Sequence, residues 1–280
     1  MKTVLYVLAF IQLAFVGGSF AADANATKQA VPDLAAVKQY TAAHLELERI
    51  RAEKTPDWAA VNASYEKTLP VIKSIDAKYG TQYDREIRDA LKKCAAGDKI
   101  KINGQIIGKG FQHVTVLAIQ RELDFAASAK QAGIKASAKK IAAYFEDIRP
   151  TFVRRDKGFF EGKKTLEAAA DAAITQLSKS NKNSLLTPSR ELEDVIMRTY
   201  ALSVLYEMEE LEKKRDSDVE FCDVKKIEAA VFYRIIQPRI EKRSPRTNEI
   251  ILNMLNGNYD AINSQEMERL LMTGLTINLR

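Results

Sequence analysis

Apolar side chains recur at intervals of three and four residues through nearly all of the sequence after residue 33. This spacing places them on one face of an α-helix, and runs rich in Ala, Leu, Glu, Lys and Arg favour the same structure. No segment alternates apolar and polar residues as a half-buried strand does. We therefore predict an all-α fold, either a helical bundle or a short solenoid. The predicted helices lie near 33–53, 57–77, 82–96, 104–130, 135–155, 163–179, 188–215, 221–243, 247–256 and 263–273.

The composition excludes several classes of protein. Hydrophobic residues make up 46% and charged residues 29% of 280 residues, which supplies a core and argues against a disordered chain. Twelve Gly and seven Pro are too few for an all-β sandwich with many tight turns. The sequence contains no Gly-rich phosphate loop, nucleophile elbow or zincin pair, so we predict that it is not an enzyme.

The first 21 residues have the pattern of a secretory signal peptide. Lys2 precedes an apolar run over 4–16, and small residues at Ser19 and Ala21 match a cleavage site. We predict cleavage near Ala21, a flexible stretch at 22–32, and an extracytoplasmic protein, periplasmic or secreted. No later segment is apolar for long enough to span a membrane.

Three prolines share a register, and this register predicts an internal repeat. Each has an aromatic residue five places earlier, and a proline inside a helix bends or breaks it. The prolines are Pro70, Pro150 and Pro238, the aromatic residues are Tyr65, Phe145 and Tyr233, and the residues six places later are Asp76, Asp156 and Ser244. We predict three repeats of about three helices each, at 33–102, 103–186 and 187–280.

The first long helix of each predicted repeat carries two carboxylates two residues apart. The pairs are Glu46 and Glu48, Glu122 and Asp124, and Glu210 and Glu212. If the repeats pack about a common axis, one carboxylate from each could converge on a hard cation such as iron or calcium. The alternative is that each pair is the solvated charged end of an amphipathic helix.

The two histidines are further candidate metal ligands. His44 and Glu48 are four residues apart, a spacing that places both on one helical face and can chelate a metal. His113 lies in the most apolar predicted helix, where a hydrogen-bonded core histidine is the alternative. The sequence has no Cys-x-x-Cys-His motif, which excludes covalent haem attachment.

The two cysteines, Cys94 and Cys222, are 128 residues apart. In an oxidising compartment a long-range disulfide between them is plausible. Two separate buried thiols are the alternative, and both interpretations stay open at this point.

Charge is unevenly distributed along the chain, which carries a net charge of +6. Basic residues cluster at 149–157 and 234–246, and acidic residues at 207–223. Cations at a helix C-terminus offset the helix dipole, so the basic clusters also have a structural explanation. An anionic partner or a membrane surface would suit this charge. No nucleic-acid-binding motif is present, and nucleic acid is not a predicted partner.

The residues Asp57-Trp58-Ala59-Ala60, followed by Tyr65, Pro70 and Asp76, resemble the helical extracytoplasmic domain of ferric-iron permeases and their periplasmic companions. The resemblance covers most of 33–256. That family's hallmark is Arg-Glu-x-x-Glu in a membrane helix, whereas 85–89 and 190–194 here each end in Asp. The permease activity is therefore not implied, and the resemblance implies a helical module near iron or another cation.

These observations lead to three hypotheses. The first is an extracytoplasmic helical binding protein that presents carboxylates to a metal cation or to a metal-transport partner in the envelope or membrane. The second is a non-catalytic scaffold or adaptor that binds other proteins in the cell envelope. The third is an enzyme whose active site is assembled only in the folded state.

Overall fold

Helices account for most of residues 31–280, the part of the chain that the structure, a computed structural model, describes. The predicted signal peptide and nearly all of the predicted flexible stretch lie outside these residues. The helices are α1 (Leu34–Arg51), α2 (Trp58–Glu66), α3 (Leu69–Tyr79), α4 (Tyr83–Ala95), α5 (Ile100–Ser128), α6 (Gln131–Phe159), α7 (Thr165–Lys179), α8 (Leu186–Lys214), α9 (Val219–Arg243), α10 (Pro245–Asn256) and α11 (Ser264–Leu275).

The predicted all-α fold is confirmed, and residues 31–280 contain no strand. Most helices begin and end within a few residues of their predicted bounds. Two predictions are wrong in detail. The helix predicted at 57–77 is divided into α2 and α3, and α8 begins at Leu186, so Pro188 is its third residue rather than its first.

The three prolines occupy two different settings. Pro70 is the second residue of α3, where its missing N–H has no partner to lose, and the carbonyl of Thr68 accepts bonds from the next turn. Pro150 and Pro238 lie inside α6 and α9, which continue through them. The first proline thus follows a break between helices, whereas the other two are tolerated within one helix. The three-repeat organisation stays a prediction.

The aspartates six residues after two of these prolines cap the N-terminus of the following helix. Asp76 accepts hydrogen bonds from the backbone N–H groups of Tyr83 and Asp84 at the start of α4. Asp156 accepts bonds from Leu166 and Glu167 at the start of α7. The first N–H groups of a helix lack partners within it, so a carboxylate there satisfies them and matches the positive end of the dipole.

Two long helices, α5 and α8, lie at the centre of the fold. α5 packs against α4, α6 and α9, and α8 packs against α7, α9 and α11, while α1 packs against α2, α3 and α6. Both central helices bury residues around most of their circumference, including polar ones. Buried polar residues at this depth need partners, and these partners define the candidate sites. None of the helices between residues 31 and 280 is long and apolar enough to cross a membrane.

Candidate functional site

The repeated carboxylates do not form the predicted cation site in the described part of the chain. One carboxylate of each pair is engaged by cations near it. Glu46 pairs with Arg49, Glu210 pairs with Lys213, and the buried Glu122 contacts Arg121 and Lys140. Within residues 31–280 no group of three or more His, Cys, Asp or Glu side chains is arranged to hold a metal ion. Local ion pairs therefore replace the predicted convergence.

The second member of each carboxylate pair also lies apart from the others. Asp124 is exposed near the end of α5. Glu212 accepts hydrogen bonds from the backbone and hydroxyl of Ser264 at the start of α11. Glu48 pairs through Oε2 with Arg51 at 2.6 Å, one turn further along α1.

His44 belongs to a hydrogen-bonded network in the core between α1, α5 and α6. Its Nδ1 lies 2.6 Å from Oδ1 of Asp147, and the hydroxyl of Thr115 donates to Oδ2 of the same carboxylate at 2.5 Å. Since an ionised carboxylate only accepts, Nδ1 carries a proton. The hydroxyl of Tyr40 lies 2.9 Å from that of Thr115, and the imidazole stacks on Phe111 with ring centroids 4.1 Å apart.

The other ring nitrogen of His44 faces Glu48, as the four-residue spacing predicted. Nε2 of His44 lies 3.8 Å from Oε1 of Glu48, and neither atom has a hydrogen-bond partner among residues 31–280 although both are buried. Burial alone would lower the pKa of His44, but Asp147, and then Glu48, outweigh it and raise this pKa. This is the one predicted ligand pair that the fold brings together with free atoms.

His113 is a core residue, which is the alternative weighed for it from the sequence. The hydroxyl of Tyr83 is hydrogen-bonded to Nδ1 of His113. Burial, and then the positive charge of Arg234, lowers the pKa of His113 to about 3, so the ring is neutral at ordinary pH. These three residues, with Glu86, line a small pocket between α4, α5 and α9.

The predicted disulfide between Cys94 and Cys222 is not present. Both thiols are free and buried, and each lies 3.8 Å from a different carbonyl, that of Ile100 for Cys94 and that of Leu211 for Cys222. The structure therefore has the alternative, two separate buried thiols.

A second group of charged residues brings together α5, α6, α8 and α9. We call it the charged cluster. It consists of Lys109 on α5, Arg154 and Arg155 on α6, Glu207 on α8, and Lys225 and Glu228 on α9. The cluster thus has four cations and two carboxylates, and a third carboxylate, Glu48, which pairs with Arg51, also raises the pKa of Lys109. Lys225 serves both carboxylates, because its Nζ lies 2.7 Å from Oε2 of Glu207 and 2.7 Å from Oε2 of Glu228.

Arg155 is the member of the charged cluster that has buried nitrogen atoms without a hydrogen-bond partner. It is only 6% exposed, and its Nε and Nη1 are buried without a hydrogen-bond partner among residues 31–280. Its guanidinium lies over the ring of Tyr206, 4.2 Å from the centroid. Stacking on an aromatic face holds the guanidinium plane but leaves its N–H groups free.

Lys109, like Arg155, lies over an aromatic ring. Its Nζ lies 4.5 Å from the centroid of the Phe232 ring. Burial lowers the pKa of Lys109 to about 8, with Glu228 opposing and Arg154 adding to the effect. Burial, and then the charge of Glu228, raises the pKa of Glu207 to about 7 against the opposing charge of Lys225. The site is thus poorly solvated and holds more positive than negative charge.

The sequence contains part of the signal for the charged cluster. Arg154 and Arg155 lie in the basic stretch at 149–157, and Glu207 begins the acidic stretch at 207–223. Lys109 was missed, because a single lysine in an apolar helix has no distinguishing pattern. Nothing in the sequence indicates that these stretches meet, because the first ends at 157 and the second begins at 207.

Comparisons of this chain with family models, with curated proteins and with solved structures found no match.

Proposed function

We propose that this chain is a non-catalytic binding protein whose ligand is a small oxyanion, a carboxylate or a phosphate-type group, held at the charged cluster. The observation that carries the proposal is the buried guanidinium of Arg155, whose Nε and Nη1 have no partner among residues 31–280. A buried unpaired donor on a charged group costs about 1–3 kcal/mol or more, so such groups seldom persist without a role.

The composition of the charged cluster supports an anion rather than a cation. Its four cations outnumber its two carboxylates, and Lys225 already neutralises part of the carboxylate charge through two contacts of 2.7 Å. An oxyanion beside Arg155 and Lys109 would supply the missing acceptor and the missing negative charge. Arginine is well suited to this, because its planar guanidinium matches carboxylate and phosphate oxygens.

The charged cluster is also accessible from solvent. Arg154 is exposed, and Tyr206 and Lys225 are partly exposed, whereas Arg155 and Glu207 are buried. The cluster therefore extends from the surface at Arg154 to the buried Arg155. Arg154 donates to the hydroxyl of Thr151 and has a further face toward solvent.

The cellular setting of this binding is a proposal from the sequence. The pattern of residues 1–21 supports secretion, and an envelope protein or a membrane transporter is the proposed partner. One observation supports iron or calcium binding: Nε2 of His44 and Oε1 of Glu48 are buried without a hydrogen-bond partner among residues 31–280. Two ligands beside the cation Arg51 are a weaker basis for a site than the charged cluster.

The test is calorimetric titration of the purified protein with sulfate, as a tetrahedral anion, and with succinate, as a carboxylate. Binding of sulfate alone would assign a phosphate-type ligand, and preference for succinate would assign a carboxylate. Arg155→Met should weaken binding roughly 30-fold, the equivalent of about 2 kcal/mol for a lost charged hydrogen bond. The matched control is Arg269→Met, since Arg269 is exposed and paired with Glu266. If neither anion binds, or if both variants bind alike, the proposal is wrong.

A further inference from the structure

The small pocket between α4, α5 and α9 has the features of a second anion site. Its polar lining consists of Tyr83, Glu86, Lys109, His113 and Arg234. Lys109 also belongs to the charged cluster, but Arg155 does not line the pocket. We propose that the pocket binds one halide ion, such as chloride, between the ammonium of Lys109 and the imidazole of His113. This site goes beyond the proposed oxyanion site and is tested apart from it.

Lys109 supplies the positive charge of the pocket. Its Nζ lies 4.5 Å from the centroid of the Phe232 ring, and it has no ion pair or hydrogen bond with any residue among 31–280. An aromatic face attracts the charge but leaves the N–H groups of the ammonium without an acceptor. Burial lowers the pKa of Lys109 to about 8, so the ammonium is charged below that pH. An anion in the pocket would supply the acceptor.

His113 supplies a neutral N–H donor on the same face of α5, one turn after Lys109. Burial raises the pKa of Tyr83, so its hydroxyl keeps a proton, and this hydroxyl is hydrogen-bonded to Nδ1 of the neutral His113 ring. When Tyr83 donates to Nδ1, the single proton of the ring lies on Nε2. Nε2 has no hydrogen-bond partner among residues 31–280 and is not fully buried, so it is open to the pocket that the ring lines.

The size and charge of the pocket favour a halide over a larger anion. Arg234 and Glu86 are paired through two contacts of 3.0 and 3.3 Å, so their charges offset each other and the charge of Lys109 remains. The cavity volume is about 10 Å³, room for roughly one water-sized sphere. A halide is a small sphere with a single charge, whereas sulfate and carboxylates need more space. Apolar side chains complete the lining, and desolvating a single charge beside them costs less than desolvating a double one.

Carboxylates outside the pocket do not neutralise Lys109. Those whose charge raises its pKa are Glu48, Glu207 and Glu228. Each of them lies beside another cation. Lys225 contacts Glu207 and Glu228 at 2.7 Å, and Arg51 contacts Glu48 at 2.6 Å. Lys109 is therefore a buried cation whose counterion is missing among residues 31–280.

The first test is diffraction from crystals of the unaltered protein grown with bromide, which replaces chloride and scatters anomalously. We expect an anomalous peak in the pocket, within hydrogen-bond distance of Nζ of Lys109 and Nε2 of His113. Density in the pocket without an anomalous signal would identify a water molecule and overturn the proposal. This test does not depend on the folding of any variant.

Chlorine NMR at about pH 6.5, where Lys109 is charged, tests the site in solution, because exchange with a protein site broadens the chloride resonance. Lys109→Met should weaken chloride binding about 10-fold or more, since it removes a charged hydrogen bond. The matched control is Lys101→Met, because Lys101 lies on the same helix, is exposed and pairs with Glu220. Equal broadening in the two variants overturns the proposal.

Arg155→Met distinguishes this site from the oxyanion site. We expect this variant to keep its chloride binding and to lose sulfate binding. Chloride binding that is lost in Arg155→Met but kept in Lys109→Met would place the ion at the charged cluster and overturn the halide pocket. Absence of sulfate binding, with the bromide peak present, overturns only the proposed function and leaves the halide site standing.

Discussion

Two groups of buried charged residues in this molecule have similar composition, but they differ in how many of their polar atoms have a partner. In the first, Arg121 donates to Ser74 at 2.7 Å and to Tyr144 at 3.2 Å, and contacts Glu122 at 3.4 Å. Glu122 in turn accepts from Ser137 at 3.1 Å. In the charged cluster, Arg155 has an aromatic face beneath it and no carboxylate within ion-pair distance among residues 31–280.

The difference shows how a buried arginine that holds the fold together differs from one that is available to a ligand. Arg121 has two of its three nitrogens engaged, and only Nε lacks a partner. Removing either partner of such a pair leaves the other charge buried and uncompensated. Arg155 has no direct carboxylate partner, so its removal breaks no ion pair, although its charge lowers the pKa of the buried Glu207. Stability measurements on the two arginines therefore test the comparison directly.

The largest effect is expected for Arg121→Met. This change leaves the carboxylate of Glu122, which is 1% exposed, without its guanidinium neighbour. Loss of one member of a buried pair costs about 3–5 kcal/mol of unfolding free energy. Urea denaturation measures it. A loss as small as that for an exposed arginine would show that Lys140 alone neutralises Glu122, and the two groups would no longer differ.

An intermediate effect, of opposite sign, is expected for Glu207→Gln above neutral pH. The pKa of Glu207 is raised to about 7 in the folded protein, above its unfolded value. The folded state therefore binds more protons between these values, and the contribution of Glu207 to stability is present at low pH and lost as pH rises through about 7.

Replacing Glu207 by Gln removes this loss. We expect the variant to be more stable than the parent at about pH 7.5 by on the order of 1–3 kcal/mol, and the difference to shrink toward about pH 4.5. Urea denaturation across this pH range is the measurement. A pH-independent difference would mean that Glu207 stays ionised and that Lys225 fully compensates its charge. The charged cluster would then be as well paired as the group around Arg121.

The smallest effect is expected for Arg155→Met without ligand. A methionine fills much of the same volume beside Tyr206, and no buried carboxylate loses a direct contact. We expect a change in unfolding free energy within about 1 kcal/mol, because replacing buried charge by packed apolar groups is often neutral. Thermal unfolding without and with sulfate is the measurement, and sulfate should stabilise only the parent protein. A large loss for Arg155→Met in the absence of anion would show that Arg155 is structural like Arg121.

The local features of this protein were predictable because they depend on residues close in sequence. The helices follow from apolar spacing, and the approach of His44 to Glu48 follows from one turn of α1. The same locality gives Glu46 and Glu210 cationic partners on their own helices, whereas the predicted convergence of one carboxylate from each pair is not found among residues 31–280. Arg49 and Lys213 lie three residues from Glu46 and Glu210 on the same helices, and these short-range partners engage the carboxylates first.

The sequence by itself determined the all-α class and most helix bounds, since a helix is specified by period and by its end residues. Only the tertiary structure decided that Asp147 meets His44, that Cys94 and Cys222 remain apart, and that Arg155 is buried without a carboxylate partner. Each of these depends on how helices that are separated along the chain pack against one another. Burial and charge pairing are properties of that packing, and no periodicity within one helix encodes them.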